Sequence, residues 1–151
     1  MESDSAYSLA YADALRRVSR REHSRLELEK ALLRQGHEVS VIRDVLSRLE
    51  ELRYVDDQRF AQALTRAQGA RGKGPAYILQ KLKAKGVSLS VEQIRAIVEE
   101  REGRSELERA HEIVQRRYAR YREDPAIAKR AFDALVRRGF SFEVARQVLR
   151  R

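Results

Sequence analysis

Apolar side chains recur along this chain at the helical period, and no segment alternates as a strand does. Tyr7, Tyr11, Ala14, Leu15 and Val18 fall on one face of a first helix. After the turn Arg20-Arg21-Glu22-His23, Ser24 with Glu27 three residues later forms a capping box. The helix it opens carries Leu28, Ala31 and Leu32 and stops at Gly36. A third helix aligns Val39, Ile42, Leu46, Leu49 and Leu52. The plan then recurs. Asp56 or Asp57 caps a helix with Phe60, Ala61, Leu64 and Ala67 inward. Pro75 starts the next at the position where a missing N–H costs nothing, with Ile78, Leu79 and Leu82 inward and Gly86 as its stop. Ser88 or Ser90 caps a helix carrying Val91, Ile94, Ile97 and Val98.

A joint at Glu102-Gly103-Arg104 leads to the third round. Ser105 caps a helix expected to bring Leu107, Ala110, Val114, Tyr118 and Tyr121 onto one side. Asp124-Pro125 opens one with Ala128, Ala131, Phe132 and Leu135, and Gly139 stops it. Phe142, Ala145, Val148 and Leu149 form the last apolar face. The middle helix of each round opens at Ser24, Gly74 and Asp124, at intervals of 50 residues. Helices this short bury too little surface alone, so neighbouring units must stabilise one another. The pattern predicts an all-α fold of three tandem three-helix repeats, residues 5–53, 54–102 and 103–151, forming an elongated, curved array.

Composition narrows the function classes. The formal net charge of +9 and the pI near 10.2 point to an anionic partner, either nucleic acid or an acidic protein surface. Asp and Glu are interspersed throughout, as on ordinary solvated helix faces. The absence of cysteine removes disulfides and thiolate metal sites. The start, Met1-Glu2-Ser3-Asp4-Ser5, is polar, and no apolar run approaches the roughly 20 residues that span a bilayer. A cytoplasmic protein without a membrane association, acting as a monomer, is expected.

Little in the chain suggests catalysis. The adjacent carboxylates Asp56 and Asp57 suit the start of a helix, where they cap free N–H groups and complement the dipole. Arg71-Gly72-Lys73-Gly74-Pro75 lacks the Lys-Ser/Thr spacing of a P-loop and reads as a basic turn that meets an anion. His23, His37 and His111 lie in different segments without a nucleophile beside them and suit surface or helix-end positions. A non-enzymatic protein without cofactor or metal is expected. Leu32, Gly36 and Ile42 have the spacing of a DNA-reading helix-turn-helix, which a stop glycine between packed helices also produces. The strongest functional signal is the set of basic clusters. Candidate contacts are Arg20 and Arg21, Arg71 and Lys73, and Lys81, Lys83 and Lys85. Arg116, Arg117 and Arg120, with Arg137 and Arg138, complete the set. Tyr118 and Tyr121 lie among them, at a spacing that suits stacking on bases or burial in the core.

One stretch carries more specific punctuation than the rest: Tyr54, Asp56, Asp57, Phe60 and Ala61, then Arg66, then Gly72 and Gly74-Pro75. It resembles the signature of the RecX family, regulators of the RecA recombinase. Arg21-Glu22-His23-Ser24 with Leu28 and Leu32 matches the family's opening, and Arg138-Gly139-Phe140 its end. Arg53 departs from the pattern, since the family usually has there a glycine that would end the helix. The resemblance implies binding to the RecA filament on DNA, within its helical groove. It also implies inhibition of RecA's ATPase, strand exchange and coprotease activities, and so restraint of recombination and the SOS response. Family members also bind DNA, single- or double-stranded, without sequence preference. Tyr54 and Phe60 are expected to serve as packing anchors and Asp56 and Asp57 as caps. The alternative is a DNA-binding protein acting through basic helix-turn-helix-like units.

Overall fold

The computed structural model describes residues 2–150; Met1, which begins the polar opening, and Arg151, which ends the third expected repeat, lie outside the described residues. In chain order the helices are α1 (Glu2–Arg20), α2 (Arg25–Arg34), α3 (Val39–Glu51), α4 (Asp57–Ala70), α5 (Pro75–Ala84), α6 (Val91–Glu102), α7 (Glu106–Arg117), α8 (Pro125–Arg137) and α9 (Phe142–Leu149). A short 3-10 helix, Ala119–Arg122, follows α7. No strand occurs among the described residues. Contacts divide the chain into two compact units. The first runs to Ala61 and adds Ala84–Val87, and the second comprises Gln62–Lys83 and the chain from Ser88 onward.

In the first unit α1, α2 and α3 pack on one another around Leu28, Leu32, Val45, Leu46 and Leu49, all essentially inaccessible. Small residues on α1, Ala10 and Ala14, allow this approach, and the rings of Tyr7 and Tyr11 stack at 5.8 Å. The expected α3 stripe is corrected at both ends. Val39 and Leu52 are 57% and 41% exposed, because one is the first residue of the helix and the other its C-cap, while Val45 takes an inward place. Ser24 and Glu27 form the expected capping box. Asp56 caps α4, its carboxylate accepting the Arg59 N–H at 3.1 Å. Asp57 instead accepts the N–H of Arg25 at 2.9 Å, so the carboxylate that begins α4 satisfies a free donor at the start of α2.

The α2 and α3 ends share one design. His37 N–H donates to Leu32 C=O and Gly36 N–H to Leu33 C=O, with Gly36 at φ +92°. After α3, Tyr54 N–H donates to Leu49 C=O and Arg53 N–H to Glu50 C=O. The residue in the left-handed position there is Arg53, at φ +62°. The turn expected of a glycine therefore forms with a side chain in place. Arg59 supports it by donating to the Arg53 carbonyl at 3.0 Å while pairing with Glu22 at 2.7 Å. The packing role expected of Tyr54 belongs to its neighbour: Tyr54 is 51% exposed and Val55 only 2%. Phe60 is buried as expected.

In the second unit the buried line along α4 continues through Thr65 and Gly69, spaced by four from Ala61 in the first; Ala67 lies on the opposite side and is exposed. The helix expected to carry Tyr118 and Tyr121 ends at Arg117. Tyr121 reaches the core from the 3-10 helix, at 2% exposure. Phe140 is buried, whereas Phe142, assigned inward by the pattern, is 57% exposed and stacks on Phe132 at 6.0 Å. Two helix ends meet backbone to backbone here. Gly74 N–H donates to Arg138 C=O at 2.8 Å and Ala76 N–H to Gly139 C=O at 2.9 Å. The free donors at the start of α5 thereby satisfy the free acceptors after α8. A Cβ on Gly74 would lie 2.4 Å from the Gly139 carbonyl carbon, and one on Gly139 2.4 Å from the Tyr77 nitrogen.

Replacing Gly74 or Gly139 with alanine is expected to cost about 3 kcal/mol or more, because backbone and not a flexible side chain must move. Gly36→Ala, with nothing within 4 Å of its added Cβ, should cost only about 1 kcal/mol of left-handed strain. Urea unfolding of the three variants would show the split, and equal midpoints would contradict it. In the opposite direction, Arg53→Gly should stabilise by about 1 kcal/mol by relieving the left-handed side chain, read as a raised urea midpoint.

Candidate anion-binding clefts

The second unit gathers candidate residues from three separate segments. Arg71 at the end of α4, Arg116 and Arg117 in the last turn of α7, and Arg138 at the end of α8 line one open cleft of about 230 Å³. None of the four has a carboxylate partner among the described residues. The glycine junction places Arg138 here, and its guanidinium lies 3.4 Å from where a Cβ on Gly72 would be. Gly72 is the left-handed residue that turns the chain after α4, at φ +81°. Ile113 contributes apolar surface to the same wall.

Two further arginines line the cleft, and both are committed to the fold. Arg104 pairs with Glu112 and, at 3.1 Å, with Glu102. Arg109 is 6% exposed and donates to the carbonyls of Gly69 at 2.9 Å and Lys73 at 2.7 Å. Its guanidinium also lies 5.6 Å from the Phe140 ring. Burial pushes its pKa down and Glu102 acts against that, but an arginine at this site keeps its charge. Arg109 thus ties α7 to the basic turn that presents Arg71. Pattern reasoning passed over it because an arginine beside Ala110 reads as the edge of a polar face.

The remaining candidates separate into distinct settings. Lys73 and Lys81 hold their ammonium groups 4.6 and 5.5 Å from the ring centre of Tyr77, a residue the sequence did not single out. Lys83, Arg137, Arg20 and the motif residue Arg66 are exposed. Arg120 pairs with Glu123 at 3.0 Å. Tyr121 is in the core and Tyr118 packs against it, so neither offers a free face for a base.

Arg21 and Lys85 belong to the first unit, where both hold Glu27. Arg21 donates to its two oxygens at 3.1 and 3.2 Å, Lys85 at 2.8 Å, and the Ser24 N–H at 3.2 Å. Burial works to raise the Glu27 pKa, but these donors outweigh it and hold the carboxyl at about 2. Beside it His23 takes the helix-end position of the two expected of it, just before the Ser24 cap of α2, where it is buried and burial lowers its pKa. His37 donates through Nε2 at 3.0 Å to Asp13, a buried α1 carboxylate that Arg17 also holds at 2.9 Å. Burial would raise the Asp13 pKa; the bonds from His37 and Arg17 bring it below the ordinary value. Among the described residues, no three His, Asp or Glu side chains are grouped to hold a metal ion, and no helix is long and apolar enough to cross a membrane.

Comparison with known proteins gives a consistent result. Models of the first, second and third three-helix domains of RecX match residues 10–49, 56–91 and 105–149. The regulatory protein RecX of Halorhodospira halophila is 37% identical over 97% of this chain and 90% of its own length. That of Stenotrophomonas maltophilia is 36% identical over 91% and 83%. The crystal structure of RecX from Lactobacillus salivarius superposes with a TM-score of 0.79 at 21% identity, covering 97% of this chain and 96% of that one.

The Glu27 cluster makes the first unit acid-sensitive. A carboxyl whose folded pKa lies below its ordinary 4.5 contributes its full stability above that value and loses it as pH falls toward about 2. Stability should therefore decline by about 2 kcal/mol across this window on account of Glu27, a figure reduced for the exposure of Arg21. Glu27→Gln should remove that part of the pH dependence in urea unfolding between pH 5 and 2; an unchanged profile would refute the assignment.

Proposed function

The chain belongs to the RecX family, and from that premise we propose that it regulates RecA by binding the RecA–DNA filament within its helical groove. Bound there, it inhibits RecA's ATPase, strand exchange and coprotease activities, and so restrains recombination and the SOS response. The observation that carries the contact assignment is the cleft of the second unit. Four guanidinium groups without a carboxylate partner converge there from three segments that the chain spends many bonds to hold together. Guanidinium forks suit carboxylates and phosphates alike, which a filament of protein on DNA presents side by side. Lys73 in the turn before α5 and Lys81 on α5, both held at Tyr77, add a second basic surface. The motif residues act behind these contacts. Asp56 caps α4, Asp57 joins two helix starts, Phe60 is buried, and Gly72 and Gly74 shape the turn that carries Arg71 and Lys73. The protein acts as a single chain in the cytoplasm, without enzymatic turnover of its own.

The test is the DNA-dependent ATPase rate of RecA on preformed filaments, with this protein added below one copy per RecA subunit. Progressive inhibition is expected. Arg116→Gln with Arg117→Gln should weaken it by about tenfold or more, since even one lost charge-assisted bond contributes about 1.5–3 kcal/mol before screening. An unchanged rate up to saturation, together with salt-sensitive binding to bare DNA, would overturn the filament reading in favour of direct DNA binding through the basic helical units.

A further inference from the structure

The first unit contains a cationic cleft of its own, of about 190 Å³, lined by Arg21 and Lys85 from the candidate contacts together with residues the sequence did not single out. Glu27, Lys30 and Arg34 occupy one face of α2, at spacings of three and four. Arg17 on α1, Arg21 in the following turn and Lys85 after α5 complete the lining. Five cations thus line the cleft with one carboxylate, Glu27, shared by Arg21 and Lys85, while Arg17 is also paired with Asp13 of α1. Three positive charges remain uncompensated. Lys30 and Arg34 are both exposed and have no carboxylate partner among the described residues. Like charges four residues apart on a helix repel, and a concave wall strengthens that repulsion by limiting water. His23 also lines this cleft and adds no charge at neutral pH, because burial favours its neutral form.

We propose that this cleft binds a phosphoryl anion, with Lys30 and Arg34 as its dedicated ligands and Arg21 and Lys85 shared between the anion and Glu27. A carboxylate offers one negative charge against an excess of three, whereas a phosphate or pyrophosphate offers two or more. Arginine and lysine together supply both the planar fork and the mobile point charge that phosphoryl oxygens accept. Glu27 is the internal competitor: its carboxylate already occupies the donors that would otherwise turn wholly to the ligand. The inference rests on the geometry of the first unit and stands whether or not the protein acts on a filament.

Isothermal titration of the full chain with pyrophosphate, at constant ionic strength and neutral pH, tests it. Lys30→Gln with Arg34→Gln should weaken binding about tenfold or more, since it removes two charge-assisted donors from exposed positions that the fold does not use. Glu27→Gln keeps the capping box, because Gln serves as well as Glu there, and should tighten binding by freeing Arg21 and Lys85. Each titration is made in an Arg116→Gln, Arg117→Gln background, so that phosphoryl binding in the other cleft does not mask the effect. Wild-type affinity in the Lys30/Arg34 variant, or weakened binding in Glu27→Gln with its helix content intact by circular dichroism, would overturn the proposal. Repeating the titration with a short single-stranded oligonucleotide identifies the source. A Lys30/Arg34 effect shared by both ligands assigns the site to backbone phosphate, and one confined to pyrophosphate assigns it to a free phosphate compound.

Discussion

The backbone junction between Gly74 and Gly139 is the constraint on which the second unit depends. A helix start has free N–H groups and a helix end has free carbonyls, and each must find a partner when buried. Here two such ends satisfy each other directly, through bonds of 2.8 and 2.9 Å, at an approach that leaves no room for a Cβ on either side. That contact sets where two of the basic turns lie. The turn before Gly74 carries Arg71 and Lys73, and the residue before Gly139 is Arg138. Joining the turns brings their guanidinium groups into one cleft.

Arg109 reinforces the same turn from α7. Its buried guanidinium bonds to two carbonyls of the chain around Arg71 and rests beside Phe140, which follows the junction. An unpaired buried charge would be costly; this one is compensated by backbone oxygens and by nearby carboxylates. A positive charge is thereby used as a structural fastener, next to others that are left available. The distinction matters in a chain with 32 basic residues. Arg21, Lys85, Arg104 and Arg120 have carboxylate partners, whereas Arg71, Arg116, Arg117 and Arg138 do not. Net charge alone does not separate these groups.

The first unit applies the same economy to carboxylates. Asp56 caps its own helix, Asp57 caps another, and Glu27 completes a capping box while gathering Arg21 and Lys85. Arg53 shows how far local geometry outweighs residue preference. The hydrogen bonds after α3 demand a left-handed residue, and the chain adopts that conformation with an arginine, held in part by Arg59. A motif departure that looked like a change of turn is only a change of side chain.

Helix number, order and most boundaries were legible in the residues themselves, because capping chemistry and the 3.6-residue period act over a few neighbours. Ser24, Ser90, Ser105 and Asp124 cap where their side chains alone indicate, and Gly36, Gly86 and Gly139 take the positive φ their positions suggest. The inward stripes failed at helix ends, at Val39, Leu52, Leu107 and Phe142, where periodicity continues but a packing partner does not, and at Ala67, on the far side of α4. Three-helix organisation and family membership likewise followed from the sequence. Which cations converge was decided only by tertiary structure. Arg71 and Arg138 are 67 residues apart in sequence, as Lys85 is 58 from Glu27. Solvated charges carry no periodic signature of their own, so their grouping depends on how the apolar faces and the glycine junction bring distant turns together.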